Sequence, residues 1–459
     1  MKKINKSMLE GPLLLSIIQY TIPIILTSIL QLLFNAADMV VVGRYCGSIS
    51  VAAVGATGSL TNLIINLFIG LSVGSGVSVA HAIGGREDDN VSKTVHTTIP
   101  IALICGVILS VVGIFLSENL LVMMGTPDSV LPLSSLYMKI YFGGIIFTML
   151  YNFCASILRA AGDTKSPLIF LSVSGVLNVL LNLVFVLIFH MNVAGVALAT
   201  IISQALSAIL VMIALMRRKD ACKLCLSKIR IYIPQLVKII RIGLPSGING
   251  SLFAISNVLI QSSINSFGDV FMSGNAAASN IEGFVYVIIT AFSQTAVNYI
   301  GQNHGAHQYS RIRKTFVICL SSVIVFGIIS ITLAYCFAPT LLSFYITDSP
   351  EAIAYGILRM SYVCIPYFVC GLMDVTTAAL RGMGASLTPM FITILGACGF
   401  RIVWIYTVFQ TPEYHTPSGL FISYPISWII TFLVELVLFI FIYRKQRNAN
   451  ATVKKCIAL

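Results

Sequence analysis

Long apolar runs alternate with short polar segments along almost the whole chain. About 20 consecutive apolar residues cross a bilayer as a helix, and the pattern predicts twelve such spans. They fall near 13–42, 52–83, 94–116, 132–158, 166–190, 193–216, 236–266, 275–302, 314–337, 353–379, 387–410 and 417–443. Several connections are very short, such as Met191-Asn192 between spans five and six. The longest polar connection, about Arg217 to Gln235, divides the chain near its middle. The expected fold is therefore an all-α integral membrane protein.

The two halves repeat one another. Pro23 matches Pro245 (245 − 23 = 222), and LRAAGDTKSP (158–167) matches LRGMGASLTP (380–389) at the same offset. A further echo pairs IGGREDD (83–89) with IGQNHGA (300–306), at 217. A register held across several spans argues for duplication of a six-helix unit. Six is even, so both halves enter the membrane in the same sense. An axis along the membrane normal is expected, with a central cleft between two pseudo-symmetric lobes. The lobes are read as 1–225 and 226–459.

Composition agrees with a bilayer as the main solvent. Hydrophobic residues make up 57% and charged residues 10% of the chain, where soluble domains carry about 25% charged residues. The net charge of +12 is gathered in loops, which argues for topology and against a nucleic-acid surface. With the N-terminus in the cytoplasm, 24 of the 28 Lys and Arg residues fall on the inner side. Arg44, Lys139 and Arg359 fall outside, and Arg401 lies within a span. The termini are therefore expected in the cytoplasm, with the chain in a bacterial inner membrane. The start, with Lys2, Lys3 and Lys6 ahead of an apolar run, reads as a retained first helix.

Eleven cysteines are present, most of them inside apolar runs, where Cys behaves as a small hydrophobe. Cys222 and Cys225 form a lone CxxC with no second pair to complete a zinc site. The six histidines lie mostly near helix ends and read as interfacial. No GxSxG, HExxH or Walker loop occurs, so no enzyme and no cofactor is expected. Pro23, Pro100, Pro245 and Pro366 permit bends, and Gly70, Gly74 and Gly76 mark close helix packing.

Ionisable groups inside spans carry most of the functional information, because each costs at least ~2.5 kcal/mol near the bilayer centre. Gln31, Asn35 and Asp38 share a face of span one at i, i+4, i+7 spacing. Span five offers Asn178 and Asn182, and span six Thr200. A carboxylate among amide and hydroxyl oxygens suits a sodium ion or a proton, and binding either shifts the local charge by one unit. The competing reading is a polar cluster that only joins helices. Asp374 stands at the repeat position of Asn152 (374 − 152 = 222). Asp374 and Glu282 are candidates for a cationic substrate or a proton, or for a structural ion pair with Arg401. Glu435, near the inner end of span twelve, reads as reaching the interface or an Arg. Tyr137 and Tyr141 could stack on a planar cation or anchor at the interface.

Several strings together resemble the multidrug and toxic compound extrusion family. They are PIIL…NAADMVVVGR (23–44), YNFCASILRAAGDTKSP (151–167), LNVLLNLVF (177–185), GVALATIISQ (195–204), IGLPSGI (242–248), IGQNHGAH (300–307) and LRGMG (380–384). The resemblance covers essentially the whole chain. It implies an antiporter that exports amphipathic, often cationic compounds in exchange for sodium ions or protons by alternating access. It maps the family's helix-one acid onto Asp38, its helix-five asparagine onto Asn178 and its GAALAT threonine onto Thr200. A sodium ion at Asp38 and Asn178 is the implied metal. Many members have aspartate where Asn182 stands, so one proton carrier is absent here. Span seven, IGLPSGINGSLFAISNVLIQSSIN (242–265), has no acid, which resembles the bacterial branch without a glutamate there. Small organic substrates and membrane lipids are the expected partners, and a monomer suffices. The alternative is a flippase for a lipid-linked sugar. Such relatives often have fourteen spans and a strongly cationic cavity.

Overall fold

The structure is a computed structural model that describes residues 8–346 and 349–458. Lys2, Lys3 and Lys6 lie outside the described residues. Every regular element within them is helical. In chain order the helices are α1 (Leu13–Tyr45), α2 (Ser48–Gly84), α3 (Asp88–Met123), α4 (Leu131–Gly143), α5 (Ile145–Ala160), α6 (Lys165–Leu183), α7 (Asn192–Met216), α8 (Ile233–Asn265) and α9 (Asp269–Gly305). They continue with α10 (Tyr309–Cys336), α11 (Ala338–Ser343), α12 (Pro350–Arg359), α13 (Tyr367–Gly382), α14 (Leu387–Thr393), α15 (Phe400–Tyr406), α16 (Pro417–Phe421) and α17 (Ser423–Ala458).

Nine spans among the described residues are long and apolar enough to cross a membrane, and eleven when two bent helix pairs each count as one. The 33-residue α8 completes the twelve expected. Lipid contact explains the exposed apolar stripes. On α3, Ile104, Val107, Ile108, Val111 and Phe115 are all exposed, and their spacing of three or four residues puts them on one face. Water would penalise such a face, and hydrocarbon would not.

The duplication is visible in the backbone. The α4–α5 span bends by 48° and the α12–α13 span by 40°. The breaks fall at Gly144 and Pro366, which are again 222 apart. Pro366 breaks its helix because proline has no N–H to donate. Glycine achieves the same bend in the first copy, where no proline announces it. By contrast, α1, α3 and α8 run unbroken through Pro23, Pro100 and Pro245. The turns after α5 and α13 each place a glycine in the left-handed region, Gly162 at φ 87° and Gly384 at φ 82°.

One sequence echo is out of register. The helices α2 and α9 begin at Ser48 and Asp269 and end at Gly84 and Gly305, 221 apart at both ends. The left-handed residues that follow, Arg86 (φ 55°) and His307 (φ 54°), keep that offset. The echo at 217 slides this pair by four residues, about one helical turn, so it is not the structural alignment.

The chain forms two compact units, Ile22–Ser251 and Met1–Thr21 with Leu252–Leu459. Inside the first, α2 and α8 cross at contact distance. A Cβ on Gly70 would lie 2.1 Å from Gly247 N, and one on Gly74 would lie 2.4 Å from Ile239 O and 2.7 Å from Gly243 N. The motif Gly70-x3-Gly74 thus meets Gly243-x3-Gly247, and close backbone approach is what small residues at this spacing provide. The second unit holds the matching pair of the other repeat copy. Thr21 and Thr295 share a 2.8 Å hydrogen bond between α1 and α9, and Tyr20 packs edge-on against Tyr299.

Candidate functional site

The first unit gathers Asp38, Asn178, Asn182 and Thr200. Asp38 on α1 is buried, as are Asn178 and Asn182 on α6. The two asparagines lie one turn apart, so both amides project from one side of α6. Asn182 Nδ2 donates to Asp38 Oδ1 at 2.5 Å and lies 3.4 Å from Asn178 Oδ1. Asn178 Nδ2 is 3.5 Å from Thr200 Oγ1 on α7, and the Thr200 hydroxyl donates to Val196 O at 3.0 Å. Asn182 Oδ1 is buried without a hydrogen-bond partner among the described residues. A buried orphan oxygen is expensive, and it belongs to the side chain whose amide N–H group faces Asp38 Oδ1 and Asn178 Oδ1. Between them these side chains carry carboxyl, amide and hydroxyl oxygens, the hard donors that suit a sodium ion or a proton.

Not every expected member joins. Asn35 and Gln31 are exposed, and no hydrogen bond among the described residues links either to the cluster. The rotation of α1 that buries Asp38 leaves them outside. Tyr137 packs with Val41, Val42, Val186 and Val196, next to Asp38. Its ring stacks on Tyr141 at 6.2 Å. Tyr137 therefore lies beside the carboxyl, with Tyr141 stacked on it.

In the second unit Glu282 is paired, but not with Arg401. Arg359 Nε and Nη2 donate to the two carboxylate oxygens at 3.1 and 2.7 Å, and Nη1 donates to Asn275 Oδ1 at 2.5 Å. Arg359, counted among the outer-side charges, is not a solvated one. It ends α12 and is 7% exposed. Its guanidinium faces the rings of Phe421 and Tyr424. Arg401 lies elsewhere, 2% exposed. Its Nε donates to Ser427 Oγ at 2.9 Å, its charge sits 4.3 Å from the Tyr424 ring, and Nη2 has no hydrogen-bond partner. The rings meet a cation at the range where cation–π attraction operates.

Asp374 on α13 is half-buried and meets Tyr286 and Arg381. Its repeat counterpart Asn152 donates to Thr148 O on its own helix. Glu435, expected at the interface, is instead completely buried. Its carboxyl meets Thr377 at 2.6 Å and Thr393 at 2.8 Å. Sequence reading missed it because the two threonines come from α13 and α14, far from α17 in the chain.

His96 also departs from the interfacial reading. It is 1% exposed on α3, with Nδ1 2.6 Å from Ser92 O and Nε2 3.0 Å from Cys225 N. The carbonyl can only accept, so Nδ1 carries the proton and Nε2 accepts from the Cys225 N–H. The Tyr232 N–H likewise donates to Thr97 Oγ1 at 3.1 Å. The segment between α7 and α8 is thereby fastened to α3.

Comparison with known proteins agrees with this architecture. The sequence model of the MatE family matches twice, over residues 23–184 and 245–407, and the two matches begin 222 apart. The probable multidrug resistance protein YoeA of Bacillus subtilis is 26% identical over 437 residues, covering 93% of this chain and 94% of the relative. The FAD transporter of Shewanella oneidensis is 22% identical, covering 93% and 94%. Among solved structures, a MATE in the bent conformation superposes with a TM-score of 0.89 at 20% identity, covering 98% of this chain and all of the other. The Vibrio cholerae transporter VcmN in the bent form gives 0.85 at 22% identity, covering 94% and 97%. With the family matched over most of its length in two copies and the same fold in solved members, this chain belongs to the MatE family of membrane transporters.

Proposed function

We propose that the protein is a cation-coupled antiporter that exports amphipathic, often cationic compounds, with Asp38 as the coupling carboxyl. The observation that carries this reading is the buried Asp38–Asn182 contact with the unpartnered Asn182 Oδ1 beside it. Loading and unloading a cation there changes the net charge of a low-dielectric site by one unit, which is enough to bias a helix equilibrium. Asp38, Asn178, Asn182 and Thr200 are the residues that would hold a sodium ion, and Asp38 alone would hold a proton. The substrate class follows relatives named as multidrug resistance or multidrug export proteins. We read the chain as a member of the bacterial branch without an acid in α8, working as a monomer in the cell membrane with both termini inside.

The test uses the full chain in proteoliposomes with a fluorescent cationic dye and an imposed sodium or proton gradient. One of the two gradients drives dye movement in the wild type. Asp38→Asn abolishes the drive while dye binding survives. Gradient-driven movement that persists in Asp38→Asn sinks the coupling assignment.

A second reading rests on Arg401, a buried cation with no carboxylate partner and an unbonded Nη2 among the described residues. Such a group suits an anionic substrate, as in a flippase for a lipid-linked sugar. A labelled-lipid flipping assay separates the two, since only the flippase moves that lipid without a cationic substrate.

A further inference from the structure

The surroundings of Glu435 lead beyond the Asp38 site. Thr393 Oγ1 lies 2.8 Å from Glu435 Oε1 and 2.9 Å from the Pro389 carbonyl oxygen. A threonine hydroxyl has one proton, and a carbonyl can only accept. If Thr393 donates to Pro389 O, the proton shared with Glu435 must come from the carboxyl. Thr377 supplies the remaining bond, donating to Oε2 at 2.6 Å. A neutral carboxylic acid closes this chain completely: Glu435 donates to Thr393, Thr393 to Pro389 O, and Thr377 to Glu435. An ionised carboxylate leaves Thr393 with two acceptors for one proton.

Charge counting points the same way. Among the described residues Glu435 makes no ion pair. The charged groups that act on it from α13 are Arg381 and Asp374, and Tyr286 of α9 meets Asp374. Arg401 of α15 binds Ser427, about two turns back along α17. With both acids ionised, Asp374 and Glu435 outnumber Arg381 around a Glu435 carboxyl that is itself completely buried. One bound proton restores the balance of charge.

The site belongs to one copy of the repeat only. At the 222 offset Thr377 corresponds to Ala155 and Thr393 to Leu171, while offsets of 222 to 224 set Glu435 against Ile213, Met212 or Val211. The first copy is apolar at all these places. Packing in this fold therefore does not demand an acid here.

We infer that Glu435 is a proton-binding site of the second unit, held as a neutral acid by Thr377 and Thr393 and separate from Asp38. The test is an infrared titration of the full chain in lipid, following the carbonyl stretch of neutral carboxyls as pH rises from mildly acidic to alkaline. The wild type shows a neutral-carboxyl band that disappears in a defined step. Glu435→Gln, which keeps the side-chain shape and can bond both threonines, lacks that step. Thr377→Val removes a donor that helps the ionised form most, so the step moves to higher pH by about one unit. Asp38→Asn leaves the Glu435 step in place, so failure here is distinguishable from failure of the coupling role given to Asp38. A step unchanged in Glu435→Gln overturns the inference. So does a band lost in that variant but insensitive to pH in the wild type, because the proton would then be a fixed part of the structure.

Discussion

Asn182 Nδ2 reaches Asp38 Oδ1 across 2.5 Å and so ties α6 to α1 through the one acid of the first-unit cluster. The bond holds Asp38 in place. Hydrogen bonds to charged groups contribute about 1.5–3 kcal/mol. Asn182→Ala is therefore expected to weaken coupling-ion binding roughly 10- to 100-fold, read as a higher half-saturating cation concentration in proteoliposome transport. Asn182→Asp should act differently. Two carboxyls this close cannot both ionise, so the pair retains a proton. Transport by that variant should fall more steeply toward alkaline pH than in the wild type, and an unchanged pH profile counts against the geometry.

The crossing of α2 and α8 gives a prediction about packing. A Cβ on Gly247 would lie 2.0 Å from Leu67 O, which is backbone and cannot swing aside. Gly247→Ala must push the helices apart, at a cost of about 1–3 kcal/mol. Gly55→Ala is the control, since nothing lies within 4 Å of its added methyl. Thermal unfolding in detergent should show a lower midpoint for the first variant and none for the second.

Span positions and the duplication are legible because hydropathy and the 222 register persist over many residues. The gathering of Asp38, Asn178, Asn182 and Thr200 is legible too, from helical spacing and the family strings. Asn35 shows the limit: sharing a helix face at i, i+3 spacing still left it exposed while Asp38 turned inward. Arg359 reads as one of the outer-side charges near the start of span ten, and only the fold reveals Glu282 as its partner. The echo at 217 misleads for a similar reason. Local similarity follows a glycine-containing string, whereas the end of a helix is fixed by backbone geometry at Arg86 and His307.

Arg359 and Glu282 should behave as a unit. Removing one member of a buried ion pair strands the other charge, at about 3–5 kcal/mol. Arg359→Met alone is expected to lower the unfolding midpoint sharply. Adding Glu282→Leu should recover much of the loss, because apolar replacement of a whole buried pair is often neutral or stabilising. If the double variant is no better than the single one, the pair has a role other than structural balance.

The segment between α7 and α8 should respond to alkaline pH. Cys222 is 2% exposed, and burial pushes its thiol from the ordinary 9.0 up to about 12, with nearby Asp220 adding to the shift. Because the folded value is the higher one, the docked segment favours the protonated thiol. That contribution is complete below pH 9, is lost progressively between 9 and 12, and has no counterpart on acidification. Hydrogen exchange at the Cys225 and Tyr232 amides reports docking directly, since these donate to His96 and Thr97. After correction for intrinsic exchange, their protection should fall as pH rises above 9. Cys222→Ala should flatten the decline, and His96→Phe should remove Cys225 protection at every pH. A decline of the same size in Cys222→Ala assigns the alkaline sensitivity to another group.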